Sequence, residues 1–269
     1  MKRAMRLVGM LVGVLLVAYS LNPLHSDGDT AIAQANNHRY KIMPLGDSIT
    51  FDNHSGDTRP EGLRTGYRQP LYLSLVEAGY NVDFVGSLVA GQDAVPKFDP
   101  DNEGHPGWTD DQIAANIYTW LQSSPAEIIL LHIGTNGLDT SPNDVENILN
   151  EIDRYESDTG TKIRVFLARI INRMNHVCPN SSETTTFNIN VEVMARDRIA
   201  RGDRITIVDM ECGAGIDYQQ DTAPPYEHDM YDALHPNDAG YKKMADAWKK
   251  ALDEVNISLP QPPTSLRFN

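Results

Sequence analysis

The sequence is poor in cysteine and in basic residues, and each shortage narrows what the protein can be. Among 269 residues only Cys178 and Cys212 are cysteines, so the chain can form at most one internal disulfide. Lysine and arginine number 23 against 37 aspartates and glutamates, which gives a formal net charge of −14. An acidic chain of this kind repels phosphate backbones and anionic lipids. We therefore expect no nucleic-acid partner.

Long apolar runs are also missing, except in the first 35 residues. A basic start over residues 2–6 precedes an apolar stretch over residues 7–21, and Ala-Gln-Ala closes the segment at 33–35. This order is typical of a secretory signal peptide. An uncleaved membrane anchor is the alternative, but the apolar stretch is shorter than the roughly 20 residues that a spanning helix needs. We expect a secreted or periplasmic protein that has no membrane contact after residues 1–35 are removed.

Secretion bears on the two cysteines. An oxidising compartment favours a disulfide between Cys178 and Cys212, and two buried thiols are the alternative. A bridge would stabilise the fold by roughly 3 to 4 kcal/mol on the chain-entropy model.

From residue 40 onward, short apolar runs alternate with helical patterns. Continuous apolar runs are typical of strands that are buried on both faces. Strands are predicted at 40–45, 82–85, 128–133, 163–168 and 205–208, and helices at 66–78, 110–121, 142–156, 184–201 and 237–255. This alternation predicts an α/β protein with three α/β/α layers, doubly wound around a parallel sheet of about five strands.

The rest of the chain completes this organisation. Residues 36–258 are expected to form one domain, and the Pro-rich residues 259–269 form a tail. The segments 52–65 and 87–107 are polar insertions, and the second is long enough to predict a functional loop.

Polar and glycine residues follow the predicted strands where the strands end. Ser48 follows the first strand, Gly86 the second and Asn136 the third, whereas Asp232 and His235 come before the last helix. Ligands of parallel sheets bind at the carboxyl ends of the strands. We expect these side chains to meet at one edge of the sheet.

Each of these residue types suits a task in acyl transfer. The Ser48 hydroxyl needs a base near neutral pH, which His235 supplies, and the imidazole needs an acceptor such as Asp232 on its other nitrogen. The oxyanion of the intermediate needs fixed donors. Gly86 has no side chain and can bring its backbone N–H close to the oxyanion. Asn136 offers a side-chain amide, and the backbone N–H of Ser48 lies at the start of a predicted helix.

These residues lie in four blocks that resemble those of a known superfamily. GDSIT, the glycine of DFVGS, the glycine and asparagine of GTN, and DALHP match, in order, the blocks of the SGNH or GDSL hydrolases. Narrower matches at GYR, VDFVGS, EGHPGW and LHPNDAGYKKMA resemble the secreted acetyl xylan esterases of carbohydrate esterase family 3.

The resemblance implies roles for the matched positions. Ser48 corresponds to the nucleophile, His235 to the base and Asp232 to its partner, with Gly86 and Asn136 beside the Ser48 amide as oxyanion donors. Asp47 would brace the loop. One position departs from the family, because Gly137 stands where the third block usually has aspartate.

Other polar residues allow more than one interpretation. Trp108 could stack on a sugar ring or pin its loop to the core, and His105 is a weaker candidate for substrate contact. Arg68 could bind substrate or pair with a carboxylate. Asp232 and His235, with Glu227, His228 and Asp229 nearby, could instead bind metal; we expect no catalytic metal, since the serine apparatus is complete without one. A structural calcium stays open.

The sequence thus predicts a secreted serine esterase that removes acetyl or other short acyl groups from a carbohydrate, without a cofactor. A lipase, phospholipase or thioesterase with the same chemistry is one alternative. The other is a non-catalytic carbohydrate-binding protein on the same scaffold, which only Gly137 favours. The polysaccharide, the acyl position and the oligomeric state do not follow from the sequence.

Overall fold

A computed structural model describes residues 38–178 and 180–255. The predicted signal peptide and the Pro-rich tail lie outside these residues. Within the described ranges, no helix has the length and apolar character that crossing a membrane requires.

The described chain forms seven strands and six helices, together with a short 3-10 turn at Glu61–Leu63. The strands are β1 Tyr40–Gly46, β2 Val82–Phe84, β3 Leu88–Val89, β4 Asp101–Gly104, β5 Ile128–His132, β6 Arg164–Arg169 and β7 Ile205–Asp209. The helices are α1 Ser48–Phe51, α2 Arg68–Glu77, α3 Asp110–Ser123, α4 Asn143–Thr159, α5 Glu183–Arg201 and α6 Asp238–Val255.

The sheet confirms the predicted fold. Strands β2, β1, β5, β6 and β7 are parallel neighbours in that order, which is the order of a doubly wound sheet of the flavodoxin type. All five predicted strands and all five predicted helices are present, with ends that differ by up to three residues.

Alternate side chains of the central strands enter two separate cores. On β5, Ile128 and Leu130 pack with the helices α2 and α6, whereas Ile129 and Leu131 pack with α3, α4 and α5. A strand with apolar side chains on both faces can be covered only by two helix layers. The three-layer architecture follows directly from these uninterrupted apolar runs.

The segment 87–107 is more ordered than its sequence predicts. It contains β3 and β4, and β4 runs parallel to the end of β1, with Gly104 opposite Gly46. Since β2 pairs only with the start of β1, from Tyr40 to Ile42, the two strands divide one edge of β1 between them.

Cys178 and Cys212 form a disulfide, as secretion and oxidation predict. The bridge closes a loop that follows β6 and touches the segment carrying His235, because the Met174 N–H donates to the Ala233 carbonyl at 3.0 Å. The disulfide therefore tethers a loop that supports this segment.

Candidate active site

The turn after β1 places Ser48 at the start of a helix. A Cβ at Gly46 would lie 2.2 Å from the His132 carbonyl oxygen, so only glycine lets β1 turn this close to β5. The Asp47 carboxylate caps the helix by accepting the Ile49 N–H at 2.9 Å. As the first helical residue, Ser48 has an N–H with no carbonyl to receive it inside the helix.

Ser48, His235 and Asp232 form one hydrogen-bonded chain. The Ser48 Oγ lies 2.9 Å from His235 Nε2, and His235 Nδ1 lies 2.9 and 3.0 Å from the two Asp232 carboxylate oxygens. Ser48 and His235 are each 8% exposed, so the chain is shielded but open at one side. The structure brings together these three residues, which are 187 positions apart at the extremes.

A tight turn holds Asp232 as an acceptor. Its Oδ1 accepts the backbone N–H groups of Leu234 and His235, each at 2.8 Å. Burial alone would raise the pKa of Asp232, but the hydrogen bonds from the His235 ring and from these two backbone groups lower it to about 2. The carboxylate stays ionised near neutral pH and fixes the imidazole with a proton on Nδ1.

A hydrogen bond to the Trp108 loop holds the Asn136 side chain. Asn136 follows β5, and its Nδ2 donates to the Trp108 carbonyl at 2.9 Å. An amide nitrogen carries two protons, so this bond orients the group and leaves the second proton for another acceptor.

Gly86 does not lie where the sequence predicts. Its carbonyl accepts the Ser124 hydroxyl at 3.4 Å, near the end of α3, and a Cβ on it would strike the Asn102 backbone. The prediction was wrong because β2 pairs only with the start of β1. Strand β4 pairs with the end of β1, beside Ser48.

Gly104 occupies the place that Gly86 was expected to fill. It pairs with Gly46, and a Cβ on it would lie 2.6 Å from the Phe51 nitrogen in α1. Its own N–H donates to Asn102 Oδ1 at 3.0 Å. The EGHPGW motif contains this glycine, but its polar flanks gave no sign of a strand.

The carboxylate beside the nucleophile is buried and hard to ionise. Asp47 is fully buried, and burial raises its pKa to about 6, although the hydrogen bond from Ile49 and the nearby His235 oppose the shift. Since this pKa lies above the unfolded-state value, the native state holds an extra proton between about pH 4 and 6. Stability from this group is present at low pH and is lost as the pH rises through 6.

Replacing Asp47 by asparagine should remove this pH dependence. Asparagine cannot ionise and still caps α1. We expect Asp47→Asn to unfold with about the wild-type free energy at pH 4 and to be more stable by about 2 to 3 kcal/mol at pH 8, as measured by urea unfolding. An equal difference at both pH values would mean that Asp47 ionises normally.

Trp108 and His105 belong to a packed aromatic group rather than to an open surface. The His105 ring stacks on Trp120 at 4.4 Å and lies 4.4 Å from Trp108, and its Nε2 lies 2.7 Å from the Glu103 carboxylate. Trp108 packs against the core that contains α3. Of the two interpretations of Trp108, the structure supports the one in which the ring pins its loop, and His105 is held inside the same group.

Arg68 is a structural residue, which corrects both interpretations of it. The side chain is fully buried and donates only to backbone carbonyls. Five oxygens accept at 2.7 to 3.2 Å: those of Thr50, Phe51, Arg64, Ala90 and Pro100. Burial lowers its pKa to about 10, so it stays charged and joins α1 to the segment before α2 and to the segment between β3 and β4.

Replacing Arg68 by a residue with fewer hydrogen-bond donors should destabilise the fold. Lysine has three donors without the planar fork, so Arg68→Lys leaves buried carbonyls unpaired. We expect a loss of about 2 to 4 kcal/mol in urea unfolding. Arg39→Lys, at an exposed arginine, is the control and should change stability by less than about 0.5 kcal/mol. Unchanged stability with a raised KM would restore the substrate-binding role.

A side chain at Gly137 would be crowded by Thr109. The φ of Gly137 is +61°, and a Cβ would lie 2.9 Å from the Thr109 methyl group. The departure from the third block therefore goes with a left-handed turn at this position, while Asn136 keeps its bond to Trp108.

The alternative metal ligands are engaged elsewhere. His228 Nδ1 lies 2.8 Å from Asp217, and Asp229 pairs with Lys243. In the described part of the chain, the one group of three His, Cys, Asp or Glu side chains close enough to share an ion is His176, Cys178 and Cys212, whose sulfurs form the disulfide. His132 is a buried histidine of β5, and burial lowers its pKa to about 4.

Two aromatic residues beside His235 were missed from the sequence. The His54 ring stacks on Tyr231 at 3.8 Å and lies 6.4 Å from the His235 ring. His54 comes from the polar insertion after α1 and Tyr231 precedes Asp232, so no local pattern connects them.

A serine, a histidine and a carboxylate linked in this way, at the carboxyl edge of a doubly wound sheet, are the arrangement of a hydrolase domain. A model of the GDSL-like lipase/acylhydrolase family matches residues 42–248. The chain belongs to that family, and the superfamily resemblance of its four blocks is confirmed.

Several relatives carry esterase names. A multidomain esterase from Ruminococcus flavefaciens is 27% identical in an alignment 239 residues long, which covers 79% of this chain and 28% of that protein. The chain thus spans less than a third of that relative's length. The solved family 3 carbohydrate esterase from Clostridium thermocellum is 28% identical, with a TM-score of 0.62 and coverage of 81% of this chain and 97% of that one.

A second solved structure has the same fold. A carbohydrate esterase of family 3 from Talaromyces cellulolyticus is 24% identical, with a TM-score of 0.61 over 80% of this chain and 97% of that one.

Proposed function

We propose that this protein is a secreted serine esterase that releases acetyl or other short acyl groups from carbohydrates. The observation that carries the proposal is the continuous hydrogen-bonded chain from Ser48 through His235 to Asp232. Membership of an acylhydrolase family supports ester hydrolysis as the reaction.

The chain of hydrogen bonds suits a two-step reaction. Ser48 Oγ attacks the ester carbonyl while His235 Nε2 takes its proton, and the same proton then passes to the departing alcohol oxygen. A water molecule, deprotonated by His235, next attacks the acyl-serine. The bond to Ser48 Oγ breaks, the proton returns to Oγ, and the carboxylic acid leaves. Asp232 stabilises the imidazolium in both steps.

Two groups have N–H donors that suit the oxyanion. The Ser48 N–H has no acceptor within its helix, and the second proton of Asn136 Nδ2 is not used by Trp108. We assign the oxyanion hole to these two groups and leave Gly86 out, because it lies by the end of α3. Gly104 borders the site from β4.

The surroundings of the site favour a carbohydrate over a long acyl chain. The neighbouring cavity is lined mainly by polar, charged and tyrosine side chains, and Pro236 is the one aliphatic side chain among its lining residues. A long acyl chain would need an apolar groove. The similarity to a family 3 carbohydrate esterase points the same way.

Acetate release from acetylated xylan by the purified protein tests the proposal. We expect release that depends on Ser48, and a series of p-nitrophenyl esters whose turnover falls as the acyl chain lengthens. Turnover that is highest for esters with long acyl chains would support a lipase instead. Binding of acetylated xylan without release of acetate would support the carbohydrate-binding alternative.

A further inference from the structure

The departing alcohol must lie beside His235. His235 gives the alcohol oxygen its proton, so this oxygen must come within hydrogen-bonding distance of Nε2. Asn136 is held by Trp108, which packs in the core of α3, α4 and α5. The His235 loop leads into α6, which packs in the opposite core. Proton transfer therefore places the alcohol on the His235 side of Ser48.

A cavity of about 210 Å³ opens on the His235 side. Its wall includes His54, Tyr231 and Tyr226, together with Pro236, which directly follows His235. The stacked His54 and Tyr231 rings form the part of the wall beside the catalytic imidazole, which lies 6.4 Å from the His54 ring. The volume holds roughly seven water molecules at about 30 Å³ each, which suits one sugar ring.

The charged groups of this cavity do not balance. Arg59 is its one arginine or lysine, and it is paired with both Asp52 and Asp57 at 2.8 Å. Asp238 adds a third carboxylate at the start of α6. Burial and the like charge of Asp52 both raise the pKa of Asp238. The Arg64 guanidinium, outside the lining, also lies 3.4 Å from Asp57, so two guanidiniums oppose the three carboxylates and the cavity keeps a net negative charge.

We infer that this cavity receives the alcohol part of the ester and that its acidic wall selects uncharged sugars over anionic ones. The inference rests on the proposed ester hydrolysis at Ser48. A carboxylate on the sugar would be repelled by the exposed Asp238, whereas a hydroxyl of a neutral ring can donate to it. The cavity thereby defines the substrate class as acylated neutral sugars.

A matched pair of substrates tests the selectivity. The pair is acetylated methyl glucoside and acetylated methyl glucuronide, which share the ring and the acyl group and differ by one carboxylate. We expect kcat/KM to favour the neutral ester by about tenfold or more at low salt, and the ratio to narrow in 0.5 M sodium chloride as screening increases. A ratio near one at low salt would overturn the inference.

Charge reversal at the cavity rim separates a local effect from the overall acidity of the protein. Asp238→Lys should reduce the preference by about tenfold. Asp246→Lys makes the same change two turns along α6, at a residue that pairs with Lys242 outside the cavity, and should leave the preference within about twofold. Equal effects of the two variants would overturn the inference. If Asp238→Lys does not fold, Asp238→Asn should also reduce the kcat/KM preference for the neutral ester, by a smaller factor.

The same experiment distinguishes failure of the inference from failure of the proposed function. p-Nitrophenyl acetate carries no sugar and reports on the Ser48 chemistry alone. Serine-dependent cleavage of this ester without discrimination between the sugars would refute the cavity's role and retain the esterase. If none of the three acetates is cleaved in a Ser48-dependent way, the esterase proposal itself is refuted.

Discussion

Ser48→Ala is expected to lower kcat on acetyl esters by about 10⁴-fold or more. The change removes the one hydroxyl that His235 Nε2 contacts, at 2.9 Å, so no acyl-enzyme can form. The residual rate should come only from the oxyanion donors and from substrate binding. Steady-state kinetics with p-nitrophenyl acetate measure the effect, and mass spectrometry of the trapped acyl-enzyme should show the acyl group on wild type alone.

Ser74→Ala is the matched control for this variant. Ser74→Ala also loses one hydroxyl, which in the wild type donates to the Leu71 carbonyl within α2. Its activity should stay within about twofold of wild type, because the change lies outside the site. Near-normal turnover by Ser48→Ala would show that another group performs the attack, and would remove the basis of the proposed mechanism.

Asn136→Ala is expected to lower kcat by roughly 10²- to 10³-fold with a small change in KM. The lost amide proton would meet a charge that exists only in the transition state and the intermediate, so ground-state binding should change little. The variant also loses the bond from Nδ2 to the Trp108 carbonyl. Tryptophan fluorescence of the variant shows whether the loop has moved.

Asn190→Ala removes a comparable tether outside the site. The Asn190 amide donates to the Thr140 carbonyl at 2.7 Å and so also ties a side chain to a loop. Its kcat should stay close to that of wild type. A loss of activity in Asn136→Ala that appears entirely in KM would mean that Asn136 binds substrate and does not stabilise the oxyanion.

Residues outside the catalytic chain hold the loops of the site in place. Arg68 donates to five carbonyls in three segments, namely α1, the segment before α2 and the segment between β3 and β4. The group of His105, Trp108 and Trp120 holds the loop that orients Asn136. Residues of this kind resemble substrate contacts in a sequence, because charge and aromaticity are common to both roles. Burial distinguishes them, and burial is a property of the folded chain.

The sequence by itself determined the sheet, the layers and the identities of the reactive side chains. Continuous apolar runs such as Ile128–His132 can be buried only between two helix layers, and the close spacing of Asp232 and His235 brings them together within one turn. These features depend on local pattern and short separation, which the order of residues records.

Only the tertiary structure decided which backbone groups and charges surround Ser48. Strand β4 is built from Asp101, Asn102, Glu103 and Gly104, which have no apolar periodicity, so nothing local marks it as the strand beside β1. The role predicted for Gly86 failed for that reason. The raised pKa of Asp47 and the negative cavity beside His235 likewise arise from groups brought together across distant segments, because burial and Coulomb interactions depend on separation in space and not along the chain.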